Sequence, residues 1–586
     1  NANSLVPDWG VICGGDTNSI TAGIESAICG GGGNTSAGQR TFIGGGLSND
    51  ATSDYDVICG GDNGNIDGTH GFIGTGHDNT IYSTGTYNTI VNGNSCTIES
   101  NAYNFIGSGY NLHITATNNY NCIVSGETNT ISGTQEHGFI GGGTLNEIAT
   151  GRAGVICGGN NNDLSTGSYI FMGGGANNDA SGSYAVCCGG DNNSVTAGDS
   201  VICGGEDNVV STLNSFIGGG FNNEVNTDSY GTIVGGNGNT VSALYGFIGA
   251  GAINSVTGDY SVIAGGDTNS ITSAYSFIGS GDLNVVGGFR GFIGGGLRNS
   301  MVAGSDDSVI CGGEDNTITT NPSDQCFIGG GTTNSITAGL YNVIVGGNGN
   351  LSDNGSGCFI GGGYTNNTSS MYACVLGGQN NDATSNHASV GGGELNVASG
   401  DGSHIGGGHD NAASGTDSCV PGGHDNEAAA AYSVATGKES TTRAFQGAAA
   451  HSSGQISARG DRQTRSNVLK RQSTTDTFVS LTADNGNDSS TDTFQIPEDS
   501  AARVQWKVLG VKSDGSEVAS YNVIAIVKRF SSTTTVVYSN VEVEHEDDSA
   551  WDVQVTAYSL GITVQAKGGS GETVNWCATL ESVEVV

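Results

Sequence analysis

Carboxylates fall at fixed places in this chain. Asp62, Glu206 with Asp207, and Glu314 with Asp315 each follow a Gly-Gly pair, at the sixth and seventh places of a recurring ten-residue motif. Carboxylates on turns are hard oxygen ligands, so these acids admit weak calcium binding. Glycoside hydrolysis asks for two carboxyl groups about 5 to 9 Å apart. Acids that repeat with the motif create such pairs by periodicity alone, no pair is singled out, and an active site needs to be singular. His77, His409 and His424 hold the same sixth place and read as solvated turn residues. Gly-x-Gly fragments abound, but a phosphate loop needs a helix N-terminus and a lysine beside it. Arg459-Gly460-Asp461 is an integrin-type tripeptide that chance explains. Thr and Ser are too irregular for an ice-binding array. The expectation is therefore no catalytic residue, no cofactor-binding residue, no metal ligand, and a chain that is not an enzyme.

The cysteines follow the same motif. Seven of the 15, Cys13, Cys29, Cys59, Cys157, Cys188, Cys203 and Cys311, occupy its third place, where other copies carry Gly, Ala or Val. The odd total and the lack of metal-ligand spacing predict buried free thiols acting as small apolar fillers.

Composition narrows the classes. The chain has 586 residues, 103 Gly, 4 Pro, and 17 basic against 56 acidic residues, a net charge of −39. Glycine without a three-residue period excludes collagen. A charged fraction of 12% argues against a solvated disordered chain. Before Lys438 there is no lysine, and the arginines are Arg40, Arg152, Arg290 and Arg298. Such a surface repels phosphate backbones and anionic lipids, so neither nucleic-acid binding nor membrane insertion is expected. Asn1 follows no Met or signal-like segment, so an upstream leader or anchor is expected.

The motif is an internal repeat. Val11-Ile-Cys-Gly-Gly-Asp-Thr-Asn-Ser-Ile20 returns as Phe139–Ile148 and Val309–Ile318, in 28 copies spaced by 14 to 18 residues. Position five is always Gly and position eight nearly always Asn. Two short strands of about five residues per unit, divided by glycine turns, predict an all-β, parallel β-solenoid or β-roll of about 28 coils. At about 4.8 Å per coil the rod is ~130 Å long. The invariant glycine predicts a positive φ or a close backbone approach, and the Asn predicts an internal amide ladder. Where position one is Phe, as in Phe42, Phe216 and Phe327, position three is Gly; where it is Val, position three is Cys, Ala or Val. Volume conservation across a shared strand face predicts that this layer is the core, extended by Tyr55, Tyr103, Tyr184, Tyr245, Tyr275 and Tyr341 two places earlier. Ile at position two then points outward, and a strand apolar on both faces needs cover from copies of itself. A parallel homotrimer is expected, with a monomeric solenoid of broader coil as the competing reading.

The pattern changes near Ala428. The predicted domains are a glycine-rich solenoid shaft at 1–437, an Ala/Gly neck at 438–465 and a β-sandwich head at 466–586. Alternating strands at Thr477–Thr482, Ala502–Val511, Tyr521–Phe530, Thr534–Glu544, Trp551–Tyr558, Ile562–Lys567 and Thr573–Val585 build the head, with Trp506, Trp551 and Trp576 in its core.

The coil around Tyr432–Gly454 resembles the β-roll heads of trimeric autotransporter adhesins, though no membrane-anchor barrel is read before Val586. The Ile-Gly-Gly-Gly-x-x-Asn-x-Ile units resemble glycine-rich repeats in fibres of bacteriophages and large DNA viruses. Gly460–Thr464, Leu469–Gln472, Asp548–Val555 and Val574–Glu581 are similar to the C-terminal domain of phage tail-fibre proteins. These resemblances imply a structural and adhesive viral tail or surface fibre on the virion surface, or otherwise extracellular. Its implied partners are other virion components and a host surface glycan or protein receptor, with binding at loops such as Asn485–Thr491 and Glu546–Ala550. The alternatives are a glycan-cleaving tail spike and a cellular surface adhesin or filament subunit. The calcium repeats of secreted toxins need nine-residue spacing and do not fit.

Overall fold

The structure, a computed structural model, describes residues 2–82, 85–99, 101–319, 324–443, 445–454, 462–483, 494–558 and 561–585. The described residues are all-β with no helix, and so none long and apolar enough to cross a membrane. The chain divides into two compact units, Asn1–Asn284 and Val285–Val586.

The first unit is a parallel β-solenoid. Each copy of the motif makes one coil with two paired segments, at positions one and two and at positions nine and ten. Val11–Ile12 pairs in register with Ala27–Ile28, and Ser19–Ile20 with Thr35–Ser36, coil after coil. Position six adds a single parallel bridge, as in Asp16 to Gly32 to Leu47 to Asp62. Most of these segments are two residues long, shorter than the five expected, while Phe72–His77, Thr89–Asn94 and Phe105–Tyr110 run six.

The interior reverses the expected layer. Ile at position two is the core: Ile28, Ile43, Ile58 and Ile202 have 0% exposure. Position ten joins it from the other side through Ile66, Val195 and Val210. Position one points outward, with Phe42 39% and Phe171 40% exposed. The Phe/Gly pairing is real but has another cause. A Cβ built at Gly107 or Gly218 would lie 2.3 Å from the carbonyl oxygen of Val124 or Val234 on the next coil and 3.3 Å from the Cε1 of Phe105 or Phe216, so the neighbouring backbone and the ring together leave room only for glycine.

Position eight builds the amide ladder. Asn193 Nδ2 donates to Asn178 Oδ1 (3.2 Å), Gly189 O (3.0 Å) and Gly205 O (2.9 Å), and its Oδ1 accepts from the backbone N–H and Nδ2 of Asn208. A buried amide is thereby satisfied in the coils that carry it, and Gly64, Cys96, Leu112 and Ser440 take the place in the other four. Gly15 at position five has φ 91°, and a Cβ there would lie 2.0 Å from the carbonyl oxygen of Gly31, so no other residue fits.

The tyrosines two places before the motif lie outside the core. They stand at a turn with left-handed backbone, φ 63° at Tyr55 and 55° at Tyr245. Their rings stack along the coils: Tyr87 on Tyr103 at 5.3 Å, Tyr103 on Tyr120 at 5.1 Å, Tyr260 on Tyr275 at 5.0 Å. Left-handed backbone costs roughly 1–2 kcal/mol for such residues, and ring stacking returns a similar amount.

The second unit opens with the same coils, from Phe292–Ile293 to Cys419–Val420. Val434–Lys438 then pairs parallel with Ala449–Ser453, which pairs antiparallel with Arg462–Ser473. From there an antiparallel sheet runs through Val574–Val585, Ser500–Lys512, Val518–Phe530 and Thr533–Glu546. A smaller sheet pairs Gly561–Lys567 with Val479–Ser480, Phe494–Gln495 and Asp552–Ala557. Val504, Trp506 and Trp576 from the large sheet share one core with Leu481, Phe494, Val553 and Val564 from the small one. Trp551 meets Trp576 edge to face at 5.5 Å. All seven expected C-terminal strands are present. Arg462–Ser473 was not expected, because its inward residues Gln463, Arg465 and Asn467 are polar and give no apolar alternation.

Candidate functional site

Each coil offers four outer surfaces of different chemistry. The first is the outer face of the position-one segments. Over every copy from Val11 to Val434, positions one and three carry no Asp, Glu, Lys or Arg, in a chain with 56 acids. A parallel sheet face turned to water should gain polar residues. This one exposes Val11, Phe42, Phe105, Phe292 and Val345 instead. In the second unit it continues past Val434 and Ala449 onto the outer side of the large sheet, where Val468, Leu509 and Val583 are 48–55% exposed. The position-three thiols share this face. Cys13, Cys29, Cys59, Cys157, Cys188, Cys203 and Cys311 are free and exposed within the chain, which corrects their expected burial.

The opposite face, at position nine, is polar and holds an arrangement the sequence did not single out. Glu147, Asp163 and Asp179 stand in register on three successive coils. Burial, with Asp179 and Glu147 adding repulsion, pushes the Asp163 carboxyl up to about 6, and burial raises that of Asp179. The Oδ1 atoms of both aspartates are shielded without a hydrogen-bond partner. Adjacent parallel strands set such carboxylates about 5 Å apart. The signal available in the sequence was the coincidence of Asp at position nine in two successive copies.

One edge of the coil carries positions six and seven. The acids read as calcium ligands lie here, but mostly engaged: Arg298 pairs with Glu314 and Asp315, both at 2.7 Å, and Asn192 donates to Asp207 at 2.5 Å. Asp62 bridges to His77, and Glu206 stands between Asp191 and Phe221 in the same row. His409 and His424 stack at 4.9 Å, and Glu394 Oε2 lies 3.9 Å from His409 Nε2. The other edge carries the tyrosine row.

Within the second unit, one ion-pair group ties the last coil to the C-terminal sheets. Glu584, 1% exposed, pairs with Arg443 and with the fully buried Arg465, whose guanidinium also lies 4.2 Å over the Phe494 ring. Burial pulls Arg465 down to about 10 against the attraction of Glu584. On the outer side of the same strands, Thr436, His451, Thr464, Ser466, Arg503 and Glu581 line a groove of about 460 Å³. Of the two expected binding loops, Asn485–Thr491 lies outside the described residues, as does the Arg459–Asp461 tripeptide that was put down to chance. Glu546–Ala550 is held in place, with Tyr521 Oη donating to Glu546 at 2.8 Å and Asp547 accepting from the Val518 N–H.

No family model and no curated protein matches the chain. Among solved structures it is similar to a tailspike protein from Acinetobacter baumannii bacteriophage Fri1, a capsular polysaccharide depolymerase. That likeness has 9% identity and a TM-score of 0.18, over 76% of this chain and 79% of that one. It is also similar to the tailspike protein of A. baumannii phage AM24, at 7% identity and a TM-score of 0.13, over 88% and 78%. Both are phage tailspikes, and the first is an enzyme, so the expectation of a chain that is not an enzyme is corrected. At these TM-scores no residue role and no substrate passes to this chain.

Proposed function

We propose that this chain is a structural and adhesive fibre or spike of a viral tail, built as a solenoid shaft at 1–437, a neck at 438–465 and a receptor-facing head at 466–586. The observation that carries the reading is the uncharged outer face. A chain of net charge −39 repels its own copies everywhere except on a surface free of charge, and here that surface follows the solenoid ladder. Three copies set with this face inward bury the Phe, Val and Cys side chains and leave both charged or polar surfaces outside. Three heads on one shaft bind a dense host glycan by avidity, without strong single contacts.

A second reading, glycan cleavage, is favoured by the Asp163–Asp179 pair. One carboxyl held near 6 beside a second about 5 Å away suits an acid and a nucleophile of a retaining mechanism. Both readings are tested by incubating purified protein with bacterial capsular and lipopolysaccharide glycans and measuring retention and reducing ends. Retention without new reducing ends supports attachment alone. Reducing ends that vanish in Asp163→Asn and Asp179→Asn support the spike. No retention on any envelope glycan, with no cleavage, sinks both.

A further inference from the structure

On the uncharged face, glycine usually separates the larger residues at the third place of the motif. At two places thiols are neighbours instead. Cys13 and Cys29 stand on successive coils, and so do Cys188 and Cys203. The other third-place cysteines are isolated: Cys59 lies between Gly44 and Gly74, Cys157 between Gly141 and Gly173, and Cys311 between Gly294 and Gly329. The ladder fixes the geometry of both pairs. Val11–Ile12 pairs in register with Ala27–Ile28, and the Cys13 N–H donates to the Ile28 carbonyl at 2.9 Å. Val186–Cys187 pairs in register with Val201–Ile202, and the Cys188 N–H donates to the Ile202 carbonyl at 2.9 Å. Each cysteine thus sits one residue past a paired segment, opposite its partner, and all four are free and exposed within the chain. Burial, then repulsion and a side-chain hydrogen bond from Cys13, raises the Cys29 thiol, and burial with the same two effects of Cys188 raises Cys203.

We infer that Cys13 with Cys29, and Cys188 with Cys203, are two cross-coil dithiols that close to disulfides in an oxidising environment. Neighbouring strands lie about 4.7–4.9 Å apart, inside the roughly 4.4–6.8 Å that a disulfide spans between Cα atoms. The paired Cβ atoms leave the ladder in the same direction and need to approach to about 3.5–4.5 Å. Room for that approach exists, because the residue after each cysteine is glycine, and a Cβ built at Gly14, Gly30 or Gly204 would meet nothing within 4 Å. Each closure breaks two S–H bonds and forms one S–S bond. Two electrons and two protons pass to a small-molecule disulfide of the oxidised-glutathione class, which leaves as two thiols. Both bridges join successive coils of one chain, so they form as the coils stack, whatever covers the face afterwards. In a solenoid, where each coil contacts only its neighbours, such a bond ties one nearest-neighbour interface.

The test expresses the full chain in a host with an oxidising cytoplasm, where the thiols meet oxidised glutathione before copies assemble, and in an ordinary reducing host. Free thiols are blocked with N-ethylmaleimide in urea, and the peptides are mapped by mass spectrometry without reduction. From the oxidising host, linked Cys13–Cys29 and Cys188–Cys203 peptides are expected, each lighter by two hydrogens. These four cysteines should take up at least about tenfold less label than Cys59, Cys157 and Cys311, and in the reducing host all seven should label alike. In Cys29→Ser and Cys203→Ser, the remaining Cys13 and Cys188 should label as fully as Cys59. Full labelling of the four from both hosts overturns the inference. So do links between copies of the chain, or glutathione adducts spread evenly over all seven third-place thiols, since exposure without pairing would then explain the reactivity.

Discussion

Asp56 shows how one slot in a repeat acquires a titration. The place before each motif faces the interior and holds Ser26, Thr41 and Asn104 in other coils. In this coil it holds a carboxyl with 0% exposure, which accepts from the Gly71 N–H at 3.0 Å and the Ser53 N–H at 3.0 Å. Burial pushes it up to about 8, against those two hydrogen bonds. An unfolded Asp titrates near 4. The folded chain thus keeps a proton that the unfolded chain releases, so stability falls as pH rises from about 4 to about 8 and levels off above. Asp56→Ser restores the neighbouring coils' residue type and should remove that part of the slope. Its urea midpoint is expected to match the parent near pH 4 and to exceed it near pH 8, by the equivalent of roughly 5 kcal/mol, four pKa units at about 1.4 kcal/mol each. Parallel midpoints at both pH values would contradict the buried-carboxyl account.

At the scale of elements, the Arg443–Glu584–Arg465 group is the most exacting feature of the second unit. Two guanidinium groups share one buried carboxylate, and removing the carboxylate leaves an uncompensated charge in the core. Glu584→Ala should cost about 3–5 kcal/mol and unfold the C-terminal sheets before the coils, read by loss of Trp fluorescence ahead of far-UV signal. Simultaneous loss of both signals at an unchanged midpoint would show that the group adds nothing. These elements also show what was legible in the sequence. The coil repeat, the corner glycine, the Asn ladder and seven C-terminal strands follow from periodicity and turn residues. The inner and outer faces of the first segment were reversed, because Phe with Gly and Val with Cys conserve volume as a core layer does. The deciding signal was invariance. Position two is nearly always Ile because the interior admits one shape, whereas position one accepts Phe, Val, Thr89, Ser389 and His404 because it lies outside. The Asp163–Asp179 pair escaped notice since acids recur throughout, and only the pairing register and burial single it out.

For the whole molecule, reversing the faces changes the reason for assembly but keeps its direction. The surface left uncovered is Phe, Val and Cys rather than Ile, and it carries no charge in any coil. Apolar burial at about 25 cal/mol per Å² favours covering it, and the acids on the other surfaces oppose any different packing of like chains. The measurement that tests this most directly is the mass of the full chain by light scattering, for the parent and for a Val201→Asp, Val262→Asp double variant. These two outward valines lie in segments that the solenoid keeps on the uncharged face. The account predicts three chains for the parent and one folded chain for the variant, with unchanged far-UV signal. A parent that runs as a single chain would contradict it, and the uncharged face would then have to be explained without a second copy.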